Sequence, residues 1–186
     1  MTRVLVSAAS EHGASAEIAE AIASTLRESG IEADAVAPQR VEATSGYDAF
    51  VIGSALYAGH WRPAAIELCE RISPGLNRRP VWLFSSGPVG PRESRLVKKM
   101  WTDPVDLEQV RARTGAVEHR MFAGKLERSR LGRGQRAALL FFKRLEGDFR
   151  DWPEIRAWAT EIAAALAAGG RTADARQHAT GETPFR

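Results

Sequence analysis

Three short stretches hold the residues best suited to chemistry, and each follows an apolar run. The first, Ser10-Glu11-His12-Gly13-Ala14-Ser15, leads straight into a stretch of helical periodicity. A helix start presents unpaired N–H groups and the positive end of the helix dipole, so a phosphate is favoured there. Ser10 and Ser15 add hydroxyl donors, and Gly13 permits a positive φ or a close backbone approach. Simple helix capping by either serine is the plainer alternative. The loop holds no lysine, so the P-loop pattern Gly-x-x-x-x-Gly-Lys-Ser/Thr is absent. Its single glycine also falls short of the dinucleotide fingerprint Gly-x-Gly-x-x-Gly.

The second stretch is Gly53-Ser54-Ala55-Leu56-Tyr57-Ala58-Gly59-His60-Trp61. Its small residues let a flat ring approach the backbone, and Leu56 and Tyr57 offer surface for stacking. Trp61 could stack too, but its place at the start of the next helix fits a core aromatic better. The third stretch, Ser85-Ser86-Gly87-Pro88-Val89-Gly90, carries hydroxyls and exposed amides suited to the polar edge of such a ring; a plain turn is the rival reading.

These stretches depend on the elements that carry them. Val4-Leu5-Val6 with small residues to Ala9, Ile31–Val36, Asp48–Gly53, Val81–Phe84 and Val117–Ala123 have the character of strands. Between the first two, Ile18, Ala19, Ile22, Ala23 and Leu26 recur with helical spacing, and Gly30 ends that helix. A second helix starts at Pro63 and turns Ala65, Leu68, Cys69 and Ile72 to one side. Short helices are expected near Glu93–Lys99 and Asp106–Arg113, and a last one over Pro153–Ala168, with Ile155, Trp158, Ile162 and Leu166 as its stripe. Strands that alternate with helices and are apolar on both faces imply a doubly wound parallel sheet. In such a sheet, ligands bind at the carboxyl ends of the strands where the strand order reverses. The three stretches all occupy that edge.

The chain has 186 residues, 44% hydrophobic and 26% charged, the balance of one globular domain. We place that domain at 1–168, with an insert at about 126–151 and a disordered tail at 169–186. No apolar run spans a bilayer, no leader pattern opens the chain, and Cys69 stands alone, so a cytoplasmic protein is expected. Metal-bound receivers need acids after the first and third strands, where this chain has Ala8-Ala9 and Gly53-Ser54. Gly-x-Ser-x-Gly is missing, as is any Cys/His metal cluster or nucleic-acid module. No metal and no nucleic-acid partner are therefore expected.

Taken together, the loops resemble those of the flavodoxin-like flavoproteins. Ser10-x-x-Gly13-x-Ser15-x-Glu17-Ile18-Ala19 and Val51-Ile52-Gly53-Ser54 with Tyr57-x-Gly59-His60 are similar to the menaquinone-dependent protoporphyrinogen dehydrogenase branch. So are Phe122-Ala123-Gly124-Lys125-Leu126 and Gly147-Asp148-Phe149-Arg150-Asp151-Trp152. His12 departs from the family, standing where many flavodoxins carry threonine. The resemblance implies a flavodoxin-like three-layer α/β sandwich with a five-stranded parallel sheet, order 2-1-3-4-5. It also implies FMN held by Ser10, Glu11, His12, Gly13, Ala14, Ser15, Ser54, Ala55, Leu56, Tyr57, Ala58, Gly59, Ser85, Ser86 and Gly87. The implied activity is FMN-dependent oxidation, of a porphyrinogen with a quinone as acceptor. A flavodoxin-type electron carrier is the alternative, which the sequence pI of about 9.4 disfavours because such carriers are typically acidic.

Seven of the basic residues fall between Lys125 and Arg144, around the apolar run Ala137–Phe142. Segment 131–145 suits a helix lying on an anionic membrane surface, which would place the protein peripherally at the inner face of the membrane. Packing on the protein itself or on a partner subunit fits the same pattern. No acid–base pair stands out: His60 and Tyr57 lie near the ring loop, His119 has the setting of a structural residue, and Asp148, Arg150 and Asp151 that of a brace for the last helix. Oligomeric state has no signature in the sequence.

Overall fold

The structure, a computed structural model, describes residues 1–90, 95–126 and 146–179. Strand β1 (Arg3–Ala9) carries small or apolar side chains on both faces and lies inside the sheet, where both can be covered. Strands β2 (Glu32–Ala35), β3 (Ala49–Tyr57), β5 (Val81–Ser86) and β6 (Glu118–Phe122) join it in the order β2-β1-β3-β5-β6, all parallel. A two-residue strand β4 (His60–Trp61) hangs antiparallel from the end of β3. The five parallel strands, counted in chain order, thus run 2-1-3-4-5, as expected.

Alternation of side chains divides the core in two. Val4, Val6, Val51, Trp82 and Phe84 point to one face, where α1 (Ala14–Glu28) adds Ile18, Ile22 and Leu26. The long helix α5 (Trp152–Ala179) adds Ile155, Trp158 and Ile162 to the same layer. Leu5, Phe50, Ile52 and Leu83 point the other way, against Leu68, Cys69 and Ile72 of α2 (Pro63–Ile72) and Val110 of α4 (Leu107–Thr114). Helix α3 (Arg95–Met100) precedes α4. At the centre of the first layer, Phe84, Phe122 and Trp158 pack edge to face with centroids 5.5–6.3 Å apart.

Three boundaries differ from the sequence expectation. Strand β3 does not stop at Gly53 but runs to Tyr57, so Ser54–Tyr57 are strand and not loop. Ala58 (φ 51°) and Gly59 (φ 82°) then form a two-residue turn with both φ positive, pairing Tyr57 with His60 and Leu56 with Trp61. Such a turn matches the twist of the strands it joins. Strand β5 likewise continues through Ser85 and Ser86. Finally, α5 passes Gly169-Gly170 and runs to Ala179, so the expected disordered tail is helical over 169–179. A glycine costs a helix only about 1 kcal/mol, and Ala, Arg and Gln beyond it are good helix formers. Residues 180–186 and the expected surface helix at 131–145 lie outside the described residues.

The described residues on either side of 127–145 pair with each other. Strand β7 (Lys125–Leu126) pairs antiparallel with β8 (Gly147–Asp148), and the Phe149 N–H donates to the Gly124 carbonyl at 3.2 Å. Next comes Arg150, whose side chain is only 2% exposed. Its guanidinium bonds Asp148 at 2.6 and 2.8 Å, pairs with Glu17 at 2.8 Å and donates to the Ala14 carbonyl at 3.1 Å. It also stacks 4.4 Å over Trp152. Asp151 caps α5 by accepting the Glu154 N–H at 3.0 Å. Asp151 thus braces the last helix as expected, whereas Arg150 ties the ribbon to the first turn of α1.

Candidate functional site

The loop after β1 enters α1 through Gly13, whose φ of 90° is costly for any side chain. No side chain caps the helix from that position. Ser10 folds back, its hydroxyl accepting the Ser15 N–H at 3.2 Å. Ser15 itself is fully buried, and its hydroxyl has no hydrogen-bond partner. An unpartnered buried hydroxyl is costly to leave so, and this one belongs to the first turn of α1, at the positive end of the helix dipole.

Here a cleft opens over the carboxyl ends of β1, β3, β5 and β6. Ser10, Glu11, His12, Ala14 and Ser15 form one wall; Ala55, Leu56 and Tyr57 form the second; Ser86, Gly87, Pro88 and Val89 form the third. Met100, Gly124, Lys125 and Leu126 complete it. Gly124 lets two walls close up, since a Cβ there would lie 3.0 Å from Val89 Cγ1 and 3.3 Å from Gly87 Cα. The Glu11 carboxylate pairs with Arg62, whose guanidinium carbon lies 4.9 Å over the Tyr57 ring. Burial pushes the Tyr57 phenol up from its ordinary value, helped by Glu11 and opposed by Arg62.

Ser54, Ala58, Gly59 and Ser85 do not line this cleft. Ser54 is buried, its hydroxyl accepting the Arg62 N–H at 2.8 Å and donating to the Ala55 carbonyl at 2.9 Å. Ala58 and Gly59 form the tip of the β3–β4 turn. Because side chains alternate along β5, Ser86 faces the cleft while Ser85 faces the opposite layer. There Ser85 Oγ accepts the Trp61 indole N–H at 2.8 Å and sits 2.9 Å from His119 Nε2. His119 Nδ1 lies 3.3 Å from Asp103. Burial pushes the His119 imidazole down, with Asp103 opposing. Although serine, histidine and aspartate stand in line, Ser85 does not line the cleft and its hydroxyl is already engaged by Trp61 and His119. Trp61 and His119 are structural, as the sequence suggested.

Pro88 and Val89 line the cleft from the third stretch, and Met100, Gly124, Lys125 and Leu126 line it without having been singled out for it. The rule that named the other loops would have reached Gly124–Leu126, which directly follows the strand β6. No comparable signal marked Met100, which arrives from α3. Cys69 is buried in α2 and its thiol is pushed up to about 12 by burial, so it is unreactive. Among the described residues there is no cluster able to hold a metal, and no helix long and apolar enough to cross a membrane.

Over residues 5–152 the chain matches the model of the flavodoxin domain family. It belongs to that family. Members of the flavodoxin family bind FMN. An archaeal flavodoxin superposes on this flavodoxin domain with a TM-score of 0.60 at 14% identity, covering 89% of this chain and 99% of that one. For a flavodoxin of Streptococcus pneumonia TIGR4 the TM-score is 0.57 at 19% identity, over 90% and 99%. Identities this low establish the fold alone. Protoporphyrinogen IX dehydrogenase (quinone) of Escherichia coli strain K12 is 33% identical over 85 residues, 45% of this chain and 47% of the relative. The match thus spans about half the length of that curated relative.

Proposed function

We propose that the cleft binds FMN and that the chain is an FMN-dependent oxidoreductase. One observation carries this: the buried hydroxyl of Ser15, without a partner, in the first turn of α1 where that helix meets the cleft wall. The amides of that helix start and the Ser10 and Ser15 hydroxyls would hold the phosphate. Ala55, Leu56 and Tyr57 on one side and Ser86, Gly87 and Gly124 on the other would flank the ring. When bound, FMN supplies the electron chemistry, and the protein positions it and excludes water.

At finer grain, we assign the chain to porphyrinogen oxidation with a quinone as acceptor. Each turn removes two electrons and two protons from the porphyrinogen and reduces one quinone to the hydroquinone. In support stand the 33% identity over 85 residues to protoporphyrinogen IX dehydrogenase (quinone) and Lys125 on the cleft wall, a cation that suits a carboxylate-bearing substrate.

Titration of the purified protein with FMN, followed by flavin fluorescence, tests the cofactor. Stoichiometric quenching is expected, with about tenfold weaker binding in Ser15→Ala. No quenching at saturating FMN would end the proposal. Anaerobic turnover of protoporphyrinogen with a quinone then tests the substrate; electron exchange with a reductase but no such turnover would make the protein a carrier instead.

A further inference from the structure

Glu11 sets the anion site a problem. A phosphate monoester carries nearly two negative charges at pH 7. The loop assigned to it supplies a carboxylate on the cleft wall and no lysine. The compensating cation comes from elsewhere in the fold. Arg62 stands where β4 gives way to α2, its backbone fixed by the N–H bond to buried Ser54 and by Pro63 next in the chain. From that anchor the guanidinium reaches two cleft residues at once, pairing with Glu11 and lying over Tyr57.

We propose that Arg62 is a positioning residue for the phosphate, neutralising the Glu11 carboxylate that would otherwise face the incoming dianion. This rests on the FMN reading. A stabilising role for the fold does not account for the pair: the Arg62 and Glu11 side chains are 35% and 34% exposed, and ion pairs so exposed contribute little to stability. The charge of Glu11 matters only once another anion arrives beside it. With Arg62 in place the site presents no net charge from this pair; without it, one full negative charge stands at the mouth of the pocket.

The test compares FMN with riboflavin, which has the same ring and lacks the phosphate. Binding of FMN to the wild-type protein checks the underlying reading by itself. Given that binding, Arg62→Met is expected to weaken FMN about five- to tenfold and riboflavin by less than twofold. The loss should be largest at low salt, because the interaction is charge on charge across a solvated gap. Adding Glu11→Gln to Arg62→Met should restore FMN affinity to within about twofold of wild type, and Glu11→Gln alone should tighten FMN, because Arg62 is then left uncompensated beside the phosphate. A thermal melt of the apoproteins checks that all variants are folded alike. Equal losses for FMN and riboflavin, or no recovery in the double variant, would overturn the assignment.

Discussion

Replacing Arg150 by methionine removes one cation and keeps most of the stem that packs on Trp152. Four contacts disappear together: two bonds to Asp148, the pair with Glu17 and the bond to the Ala14 carbonyl. Removing one partner of a fully buried pair costs about 3–5 kcal/mol, chiefly because a charge is stranded without water. Here the stranded groups are the carboxylates of Asp148 and Glu17, which are 37% and 46% exposed and can rehydrate. The expected loss is therefore smaller, about 2 kcal/mol at pH 7. Its pH dependence has a definite sign. Bonding to Arg150 holds the Asp148 carboxyl below its ordinary value. A carboxyl with a depressed folded pKa stabilises the fold above its unfolded pKa, near 4, and that contribution is lost as pH falls through the folded value. Urea unfolding of both proteins at steps from pH 7 to about pH 3 measures this. The gap between them should be widest at neutral pH and close below about pH 4. A gap under about 0.5 kcal/mol at pH 7, or one that stays constant into acid, would refute the reasoning.

Two further outcomes follow from the packing. A Cβ on Gly53 would stand 2.1–2.5 Å from the ring carbons of Phe84, so Gly53→Ala should destabilise by about 3 kcal/mol, whereas Gly169→Ala, with open space around it in α5, should stabilise by up to about 1 kcal/mol; thermal melts that ranked them the other way would contradict the packing at the centre of the sheet. His119 should titrate in imidazole NMR spectra below the ordinary 6.5, and Asp103→Asn should lower it further by removing the charge that opposes burial; an upward move in the variant would show that desolvation does not dominate there.

The strands and the site were legible to different depths, for physical reasons. Val4-Leu5-Val6 and Phe50-Val51-Ile52 announce a two-sided sheet because interior parallel strands have no wet face. The loop after β1 could be read as a candidate anion site because helix starts attract anions whatever the rest of the chain does, and it does enter a helix and line the cleft. Where strands ended was less visible. Ser54 and Ser85 look like loop residues by type, yet each lies in a strand and spends its hydroxyl inside, on Arg62 and on Trp61 with His119. Alternation along a strand decides such cases, and it can be applied only once the strand's end is known: of the pairs Ser54/Ala55 and Ser85/Ser86, one member faces the cleft and the other the core. Arg150 was placed near the right helix but given too small a part, since nothing in Gly147–Trp152 reveals that its partners Ala14 and Glu17 lie at the far end of the chain.

That long-range bond bears on how the cleft is assembled. The β7–β8 ribbon supplies Lys125 and Leu126 to one wall, and Arg150 bolts the strand returning from that ribbon onto the first turn of α1, next to Ser15. Gly124, at the root of the ribbon, donates its N–H to the Pro88 carbonyl at 2.9 Å and so fixes the third wall as well. The wall at the start of α1 and the wall at Gly87–Val89 are thus joined through one buried guanidinium and one glycine. A change at either should disturb FMN and riboflavin binding alike, in contrast to Arg62, whose effect should follow the phosphate alone. The ratio of the two affinities separates residues that build the cleft from residues that tune its charge.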